Sequence, residues 1–188
     1  MDHSYFENKD FKVLPDKVLK DSEFYECHFD KIVFEHSFLY HKKFIDCTFT
    51  SCDLSNIDLT NVTLRDSKFE NCKLIGNNWC KSQSIALLKF YNSILDLSTF
   101  QSLDLTGFVF DECRLIDVDF SDSILSNSSF VGSDLHNTNF NGANVKDSDF
   151  RKAQNYYIDP HFTQLGNSKF NIPEAHSFFK ALGIVIEP

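Results

Sequence analysis

A large apolar residue returns at every fifth position along most of the chain. The pattern runs from Phe24 to Trp79 and resumes, after one added residue, from Phe90 to Phe150. The residue two places before each of these centres is mostly small, and the other three positions are mostly polar. A period of five matches neither an α-helix, at 3.6, nor a strand, at 2. The pattern therefore predicts a repeat architecture in which each pentamer points one large and one small side chain inwards.

Centres that lie twenty residues apart carry the same type of side chain, as the column of phenylalanines shows best. This sorting is expected if four pentamers close one square coil, so that equal side chains stack at the strand spacing of about 4.8 Å. Aromatic rings at that separation attract one another beyond the burial of their area. The predicted structural core holds this column and the single tryptophan: Phe29, Phe49, Phe69, Phe90, Phe110, Phe130, Phe150 and Trp79.

The pentamers of the second half carry a recognisable consensus. Residues 133–137 read Ser-Asp-Leu-His-Asn and are followed by Thr-Asn-Phe-Asn-Gly and Ala-Asn-Val-Lys-Asp. These match A(D/N)LXX, and the chain resembles the pentapeptide-repeat family. The resemblance implies an all-β fold, a right-handed quadrilateral β-helix. We assign this β-helix to residues 21–154.

Both ends of the chain depart from the repeat. Residues 1–20 are expected to form an N-terminal cap, because a solenoid must cover its terminal edge. Residues 155–188 are expected to form a helix that ends at Gly183 and a short apolar tail. This segment either caps its own coil or joins two chains as a homodimer, and its likeness to the tails of gyrase-interacting members, which dimerise in this way, favours the dimer. The dimerisation residues would be Ala175, Phe178, Phe179, Leu182, Ile184 and Ile186.

One interruption lies near the middle of the chain. Trp79 and Phe90 are eleven residues apart where ten would keep the register, so one residue is extra. The extra residue is either a tolerated bulge, which we favour, or a recognition feature. Leu88, Leu103 and Phe108 occupy small inward positions nearby, which predicts a locally wider interior.

Negative charge is concentrated in the second half. The net charge is −9 overall, and residues 101–150 hold nine acidic and two basic side chains, a net of −7. A rod with such a surface suits the basic groove of a DNA-binding protein, because complementary potentials steer association. The predicted partner-binding surface consists of Asp104, Asp111, Glu112, Asp117, Asp119, Asp122, Asp134, Asp147 and Asp149.

Motifs for catalysis, nucleotide binding or metal binding are missing from the sequence, and a filled convex rod offers no ordinary pocket. We therefore expect no enzyme activity, no cofactor and no metal. Five of the six cysteines occupy the small inward position, and free thiols are expected. The N-terminus lacks a signal-peptide pattern and no run of 18 apolar residues occurs. These features predict a cytoplasmic protein without membrane association.

The gyrase-interacting members of the family are the quinolone-resistance (Qnr) and microcin-immunity proteins, which bind DNA gyrase or topoisomerase IV as DNA mimics. This chain is similar to them around Trp79, at the turn of Asp159 and Pro160, and in the tail from Ile172. The resemblance implies an acidic DNA mimic that binds a type II topoisomerase, not nucleic acid, and modulates it or protects it from a toxin or drug. The long loops of many Qnr proteins are missing, which favours immunity over quinolone protection. The alternative is a non-catalytic scaffold for another protein.

Overall fold

The computed structural model describes residues 4–14, 21–172 and 174–185. These residues wind as a right-handed, four-sided β-helix of parallel strands, followed by one short helix. The strands are two or three residues long, because each pentamer forms one side and then turns a corner. They are β1 (Tyr5–Glu7), β2 (Asp10–Phe11), β3 (Glu23–Tyr25), β4 (His28–Asp30), β5 (Lys43–Ile45), β6 (Thr48–Thr50), β7 (Thr63–Arg65), β8 (Lys68–Glu70), β9 (Ser84–Ala86), β10 (Lys89–Tyr91) and β11 (Val109–Asp111).

The four sides can be numbered in chain order. Side 1 is the parallel sheet β1-β3-β5-β7-β9, which continues as single bridges from Asp104 to Gln164. Side 2 is the parallel sheet β2-β4-β6-β8-β10-β11, which continues to Lys169. Sides 3 and 4 consist of single parallel bridges, such as Asp53↔Lys73 on side 3. Parallel pairing thus joins neighbouring coils on every side, although no bridge or backbone hydrogen bond among the described residues joins β9 to the position of Asp104 on side 1.

Stacked aromatic rings fill the axis of the coil. The phenylalanine column on side 2 is longer than predicted and runs from Phe11 to Phe170, with neighbouring ring centroids 4.7–5.2 Å apart. Trp79 stacks on Phe100 on side 4 at 5.1 Å. All the residues predicted as structural core are buried. Because the rings stack in register, the column sets the spacing of the coils as well as filling them.

Most corners of the coil are formed by a residue in the left-handed backbone region, two positions after a centre. Asn and Asp hold most of these positions, as at Asn56 and Asp66, and glycine holds others, as at Gly76. These residue types tolerate a positive φ better than the rest. Leu87 and Leu97, with φ of 52° and 59°, are exceptions. One of the outward polar positions of each pentamer therefore favours residues that tolerate a positive φ, and the hydrophobic pattern does not reveal this preference.

The N-terminal boundary differs from the predicted cap over residues 1–20. β1 pairs with β3 and β2 pairs with β4, and Phe6 stacks on Phe24 at 4.9 Å. Residues 5–11 therefore belong to the β-helix. The pattern hid them because Phe6 and Phe11 lie eighteen residues, not twenty, before their stacking partners. The remainder of the predicted cap at residues 1–3 and 15–20 lies outside the described residues.

The β-helix also extends beyond the predicted boundary at residue 154. Gln164 bridges to Asn144 and Lys169 bridges to Asp149, so sides 1 and 2 each gain another coil. Tyr156 and Ile158 are buried in the half-coil that precedes these bridges. The five-residue register fails at Asn155 and Pro160, where centres are due, and resumes at Leu165 and Phe170.

The C-terminal helix, α1 (His176–Ala181), is shorter than predicted. Gly183 follows it with a φ of 70°, as expected of a residue that ends a helix. The predicted apolar tail has no regular secondary structure at Ile184 and Val185, and Ile186 lies outside the described residues. The helix packs against the last coil through Phe178, whose ring centroid lies 4.7 Å from that of Phe170.

Candidate functional site

Six of the nine predicted partner-binding carboxylates lie on a single coil. They fall within residues 104–122, which is less than one coil of twenty residues. Asp104 lies on side 1, Asp111 on side 2 and Asp119 on side 4, and the other three lie at three different corners. The six carboxylates therefore surround the rod, and we call them the acidic belt: Asp104, Asp111, Glu112, Asp117, Asp119 and Asp122.

The other three predicted carboxylates lie farther along the rod. Asp134 is on side 3, Asp149 is on side 2, and Asp147 is at the corner between sides 1 and 2. The nine acidic residues thus do not share one side. The residues of the predicted partner-binding surface form a band around the second half of the rod, not a stripe along it.

Several of these carboxylates are held by their own backbone. The side chains of Asp104, Asp119, Asp134 and Asp149 each accept a hydrogen bond from the backbone N–H two residues later, at 2.9–3.2 Å. This contact recurs because each aspartate directly precedes a centre, and Asp commonly bonds to the backbone two residues on. The turn fixes the direction of the carboxylate without neutralising its charge.

Local cations neutralise little of the belt. Arg114 is the one basic residue between positions 104 and 122, and its guanidinium pairs with Asp96, outside the belt. Within the described part of the chain, no belt carboxylate forms an ion pair. Asp149 differs, because hydrogen bonds from Arg151 hold its pKa below the usual value and offset its charge. The belt is thus more strongly negative than the coil at Asp149.

A second acidic feature was missed by the sequence analysis. The pairing of Tyr25 with Ile45 and of Ile45 with Arg65 aligns the residues that follow them, Glu26, Asp46 and Asp66, along one corner. All three have a positive φ and are exposed. Acidic and basic residues are almost equal in number in the first half, so the total charge gave no sign of this row of three acids. The twenty-residue spacing of the three acids was the signal that marked it.

The C-terminal end exposes apolar side chains. Phe179, Leu182, Ile184 and Val185 are exposed, and a cavity of about 320 Å³ lies between α1 and the tail at His176, Ser177, Phe179, Lys180 and Ile184. Among the predicted dimerisation residues, Phe178 instead contacts its own coil at Phe170 and Tyr156, and Ala175 is half-buried at the start of the helix. The outward apolar face is therefore narrower than the predicted stripe.

Other chemistry is sparse in the described residues. No three His, Cys, Asp or Glu side chains among them are grouped to hold a metal ion, and no helix among them is long and apolar enough to cross a bilayer. All six cysteines are free thiols, and only Cys80 is exposed.

Comparison with known proteins identifies the family. A family model described as a pentapeptide repeat region matches residues 22–100 and 103–177. The fold is similar to a trypsin-treated variant of QnrB1, a plasmid-mediated fluoroquinolone resistance protein, with a TM-score of 0.65, 18% identity, and coverage of 98% of this chain and 99% of that one. A second such variant gives a TM-score of 0.57 at 15% identity, with the same coverage. A comparison with curated proteins found no match. With the repeat model matched over most of its length, the chain belongs to the pentapeptide-repeat family.

Proposed function

We propose that this protein is an acidic DNA mimic that acts in the cytoplasm by binding a type II topoisomerase, either DNA gyrase or topoisomerase IV. The observation that carries the proposal is charge density. Residues 101–150 have a net charge of −7 and span two and a half coils, or about 12 Å of rod. B-DNA of that length carries about 7 phosphate charges. Residues 101–150 therefore approach the charge density of a duplex, with Arg151 offsetting the charge of Asp149 at the end of this stretch.

The placement of the belt supports the same proposal. A duplex is negative on every side, and the belt likewise presents a carboxylate to a partner that approaches from any side. Because Arg114 pairs with Asp96, it does not neutralise the belt carboxylates, and their negative potential can attract a basic groove. Such a field raises the association rate with a positively charged surface and does so most at low salt.

A solved structure with the same fold suggests which kind of partner this chain binds. QnrB1 is a fluoroquinolone resistance protein whose fold matches this chain along its length. This chain lacks the long loops that many Qnr proteins carry, so we propose that it protects the topoisomerase from a toxin rather than from quinolones. Because the two sequences are only 18% identical, the proposal of a topoisomerase partner rests on the shared fold and on the negative charge of this chain.

We further propose that two chains join at their C-terminal ends as a homodimer. The outward face at Phe179, Leu182 and Ile184 is apolar, and a twofold axis brings the same patch of each chain against the other. Two rods joined end to end double the length and the charge presented to a groove. Light scattering tests this step: the wild type is expected to be a dimer and Leu182→Asp a monomer. A monomeric wild type at tens of micromolar refutes it.

A supercoiling assay with purified gyrase and topoisomerase IV tests the main proposal. The wild type is expected to inhibit supercoiling or to relieve a topoisomerase poison. The triple variant Asp117→Asn, Asp119→Asn, Asp122→Asn should lose most of this effect. Asparagine tolerates the positive φ at positions 117 and 122 and keeps the acceptor that Asp119 offers to Ser121, so the fold is expected to survive.

The matched control removes three charges elsewhere. Glu26→Gln, Asp46→Asn, Asp66→Asn changes the net charge equally, on the corner row of the first half. It should weaken the effect much less than the belt variant does. If the wild type has no effect on either enzyme at any concentration, with or without a poison, the proposal fails. A scaffold for a different protein, recovered in stoichiometric amount from a pull-down, then becomes the better description.

A further inference from the structure

The region that follows the mid-rod insertion contains several departures from the repeat. A 3₁₀ turn, Trp79–Lys81, takes up the extra residue at the corner between sides 4 and 1. Two buried polar atoms beside it, Trp79 Nε1 and Ser82 Oγ, have no hydrogen-bond partner. Buried polar groups are nearly always satisfied, and sites that break several local rules at once are often functional.

The next coil adds a backbone departure. Leu87 and Leu97 both adopt a positive φ, which leucine reaches only at a cost, and both are exposed, by 47% and 64%. They lie at opposite corners of the same coil, because ten residues separate them. Asparagine would adopt this backbone conformation at a lower cost than leucine does.

Leu87 borders a cleft on side 1, whereas Leu97 faces away from it. The cleft has a volume of about 250 Å³ and is lined by Ile85, Ala86, Leu87, Asp104, Thr106 and Phe108. Ile85 is a centre of the repeat, yet it is only partly buried, and Phe108 fills an inward position that is usually small. The predicted local widening thus coincides with a depression of the surface, at which Ile85 is only partly covered.

One carboxylate stands at the rim of this apolar cleft. Asp104 accepts hydrogen bonds from Thr106 N at 3.0 Å and from Thr106 Oγ1 at 2.7 Å, which hold it in place. Ile124, the bridge partner of Asp104 on the next coil, adds an exposed apolar side chain. Asp122 follows at the adjoining corner. The cleft therefore combines an apolar floor with a fixed anion and lies on the acidic belt.

We propose that this cleft receives an arginine side chain of the protein partner. The aliphatic stem of arginine packs on Ile85 and Leu87, and its guanidinium reaches the carboxylate of Asp104. Arginine fits better than lysine, because its planar, weakly hydrated head pairs with a carboxylate through two hydrogen bonds. The identity of the partner as a topoisomerase rests on the proposed function, whereas the preference for arginine rests on the cleft.

A pair of matched variants tests the docking role. Leu87→Asn and Leu97→Asn make the same chemical change at two corners with the same backbone conformation, and both should leave the melting temperature unchanged or higher. With immobilised gyrase, Leu87→Asn should weaken binding about tenfold or more, as loss of a central anchor does, and Leu97→Asn should change it less than twofold. Equal effects of the two variants would overturn the proposal.

A titration that needs no topoisomerase separates this proposal from the function. Isoleucine methyl signals of the full chain are followed by NMR as acetyl-Gly-Arg-Gly-amide is added, with acetyl-Gly-Lys-Gly-amide as the comparison. The arginine peptide should shift Ile85 and Ile124 more than the buried Ile158, and Asp104→Asn should reduce those shifts at least threefold. Such shifts support the cleft even if gyrase does not bind. Their absence, or equal shifts with the lysine peptide, overturns it even if gyrase does.

Discussion

The carboxylate of Asp96 receives the guanidinium of Arg114, which belongs to the next coil on side 3. The same carboxylate accepts a hydrogen bond from the backbone N–H of Ile116 at 3.1 Å. Asp96 is only 8% exposed, so its charge is tied to these two donors and not to solvent. The contact joins two coils. It also pairs Arg114, the one arginine in the belt, with a carboxylate outside the belt.

Replacement of Asp96 should therefore destabilise the rod. Asp96→Ala leaves the Ile116 N–H without its acceptor and is expected to lower the free energy of unfolding by about 1–3 kcal/mol. Asp96→Asn keeps an oxygen in reach of that N–H and should cost less. Urea denaturation of both variants measures the difference. Equal losses would show that the charge, and not the backbone acceptor, carries the contact.

The phenylalanine column makes a second prediction. Phe110 is fully buried between Phe90 and Phe130, at ring separations of 5.2 and 5.1 Å. Phe110→Ala should lower the free energy of unfolding by about 3–5 kcal/mol, because it leaves a cavity that rigid neighbouring coils cannot close. Phe110→Leu should cost less, since leucine fills the equivalent place on side 3. The two are compared by urea denaturation, and a loss below about 1 kcal/mol for the alanine variant would contradict the prediction.

The coil was predictable from the sequence because its signal repeats. Centres such as Phe49 and Phe69 are identical at a distance of one coil, so the closure into four sides follows from the spacing of the residues alone. Phe6 and Phe11 were missed because two residues fewer separate them from the next coil. The number of carboxylates in the second half was equally plain, but their arrangement was not. Asp104 and Asp119 are only fifteen residues apart in the chain, yet they lie on different sides because three corners turn between them.

The cleft on side 1 was beyond the reach of the pattern. The extra residue after Trp79 and the large inward Phe108 were both visible in the sequence, and we favoured a tolerated bulge there. Whether a widened coil leaves a depression on its surface depends on how completely the next coil covers Ile85, which is a matter of packing. The left-handed conformation of Leu87 was equally hidden, because periodicity reports burial and not φ.

Burial of the thiols predicts their reactivity. Desolvation raises the pKa of Cys47 and of Cys113 to about 12 and also raises that of Cys27. At a pH of about 8 these groups stay protonated, and a thiol, unlike a thiolate, does not attack a disulfide reagent. Titration of the native protein with such a reagent should therefore modify Cys80, the one exposed cysteine, and Cys80→Ser should remove that reaction. Rapid modification of several thiols before unfolding would show that the coils open.

Gly142 lies one coil after the belt residue Asp122, and the two corners are in close contact. Gly142 has a φ of 76°, and a Cβ added there would fall against Asp122 Oδ1 and lie 3.4 Å from Asp122 Cα. Gly142→Ala should therefore combine the cost of a left-handed alanine, about 1–2 kcal/mol, with displacement of the Asp122 side chain. Gly183 is the matched control, because it has a φ of 70° and nothing within 4 Å of its added Cβ.

The two alanine variants separate the backbone cost from the contact. If the corners stack as tightly as the structure has them, Gly142→Ala lowers the free energy of unfolding in urea by more than Gly183→Ala does, and the excess measures the displaced carboxylate. An equal loss would mean that Asp122 swings aside without cost. In that event its carboxylate is loosely held, and the belt presents a mobile charge at this corner and not a fixed one. The same pair of variants thus tests the rigidity that a DNA mimic requires, since a charge fixed before binding costs less to order in a complex.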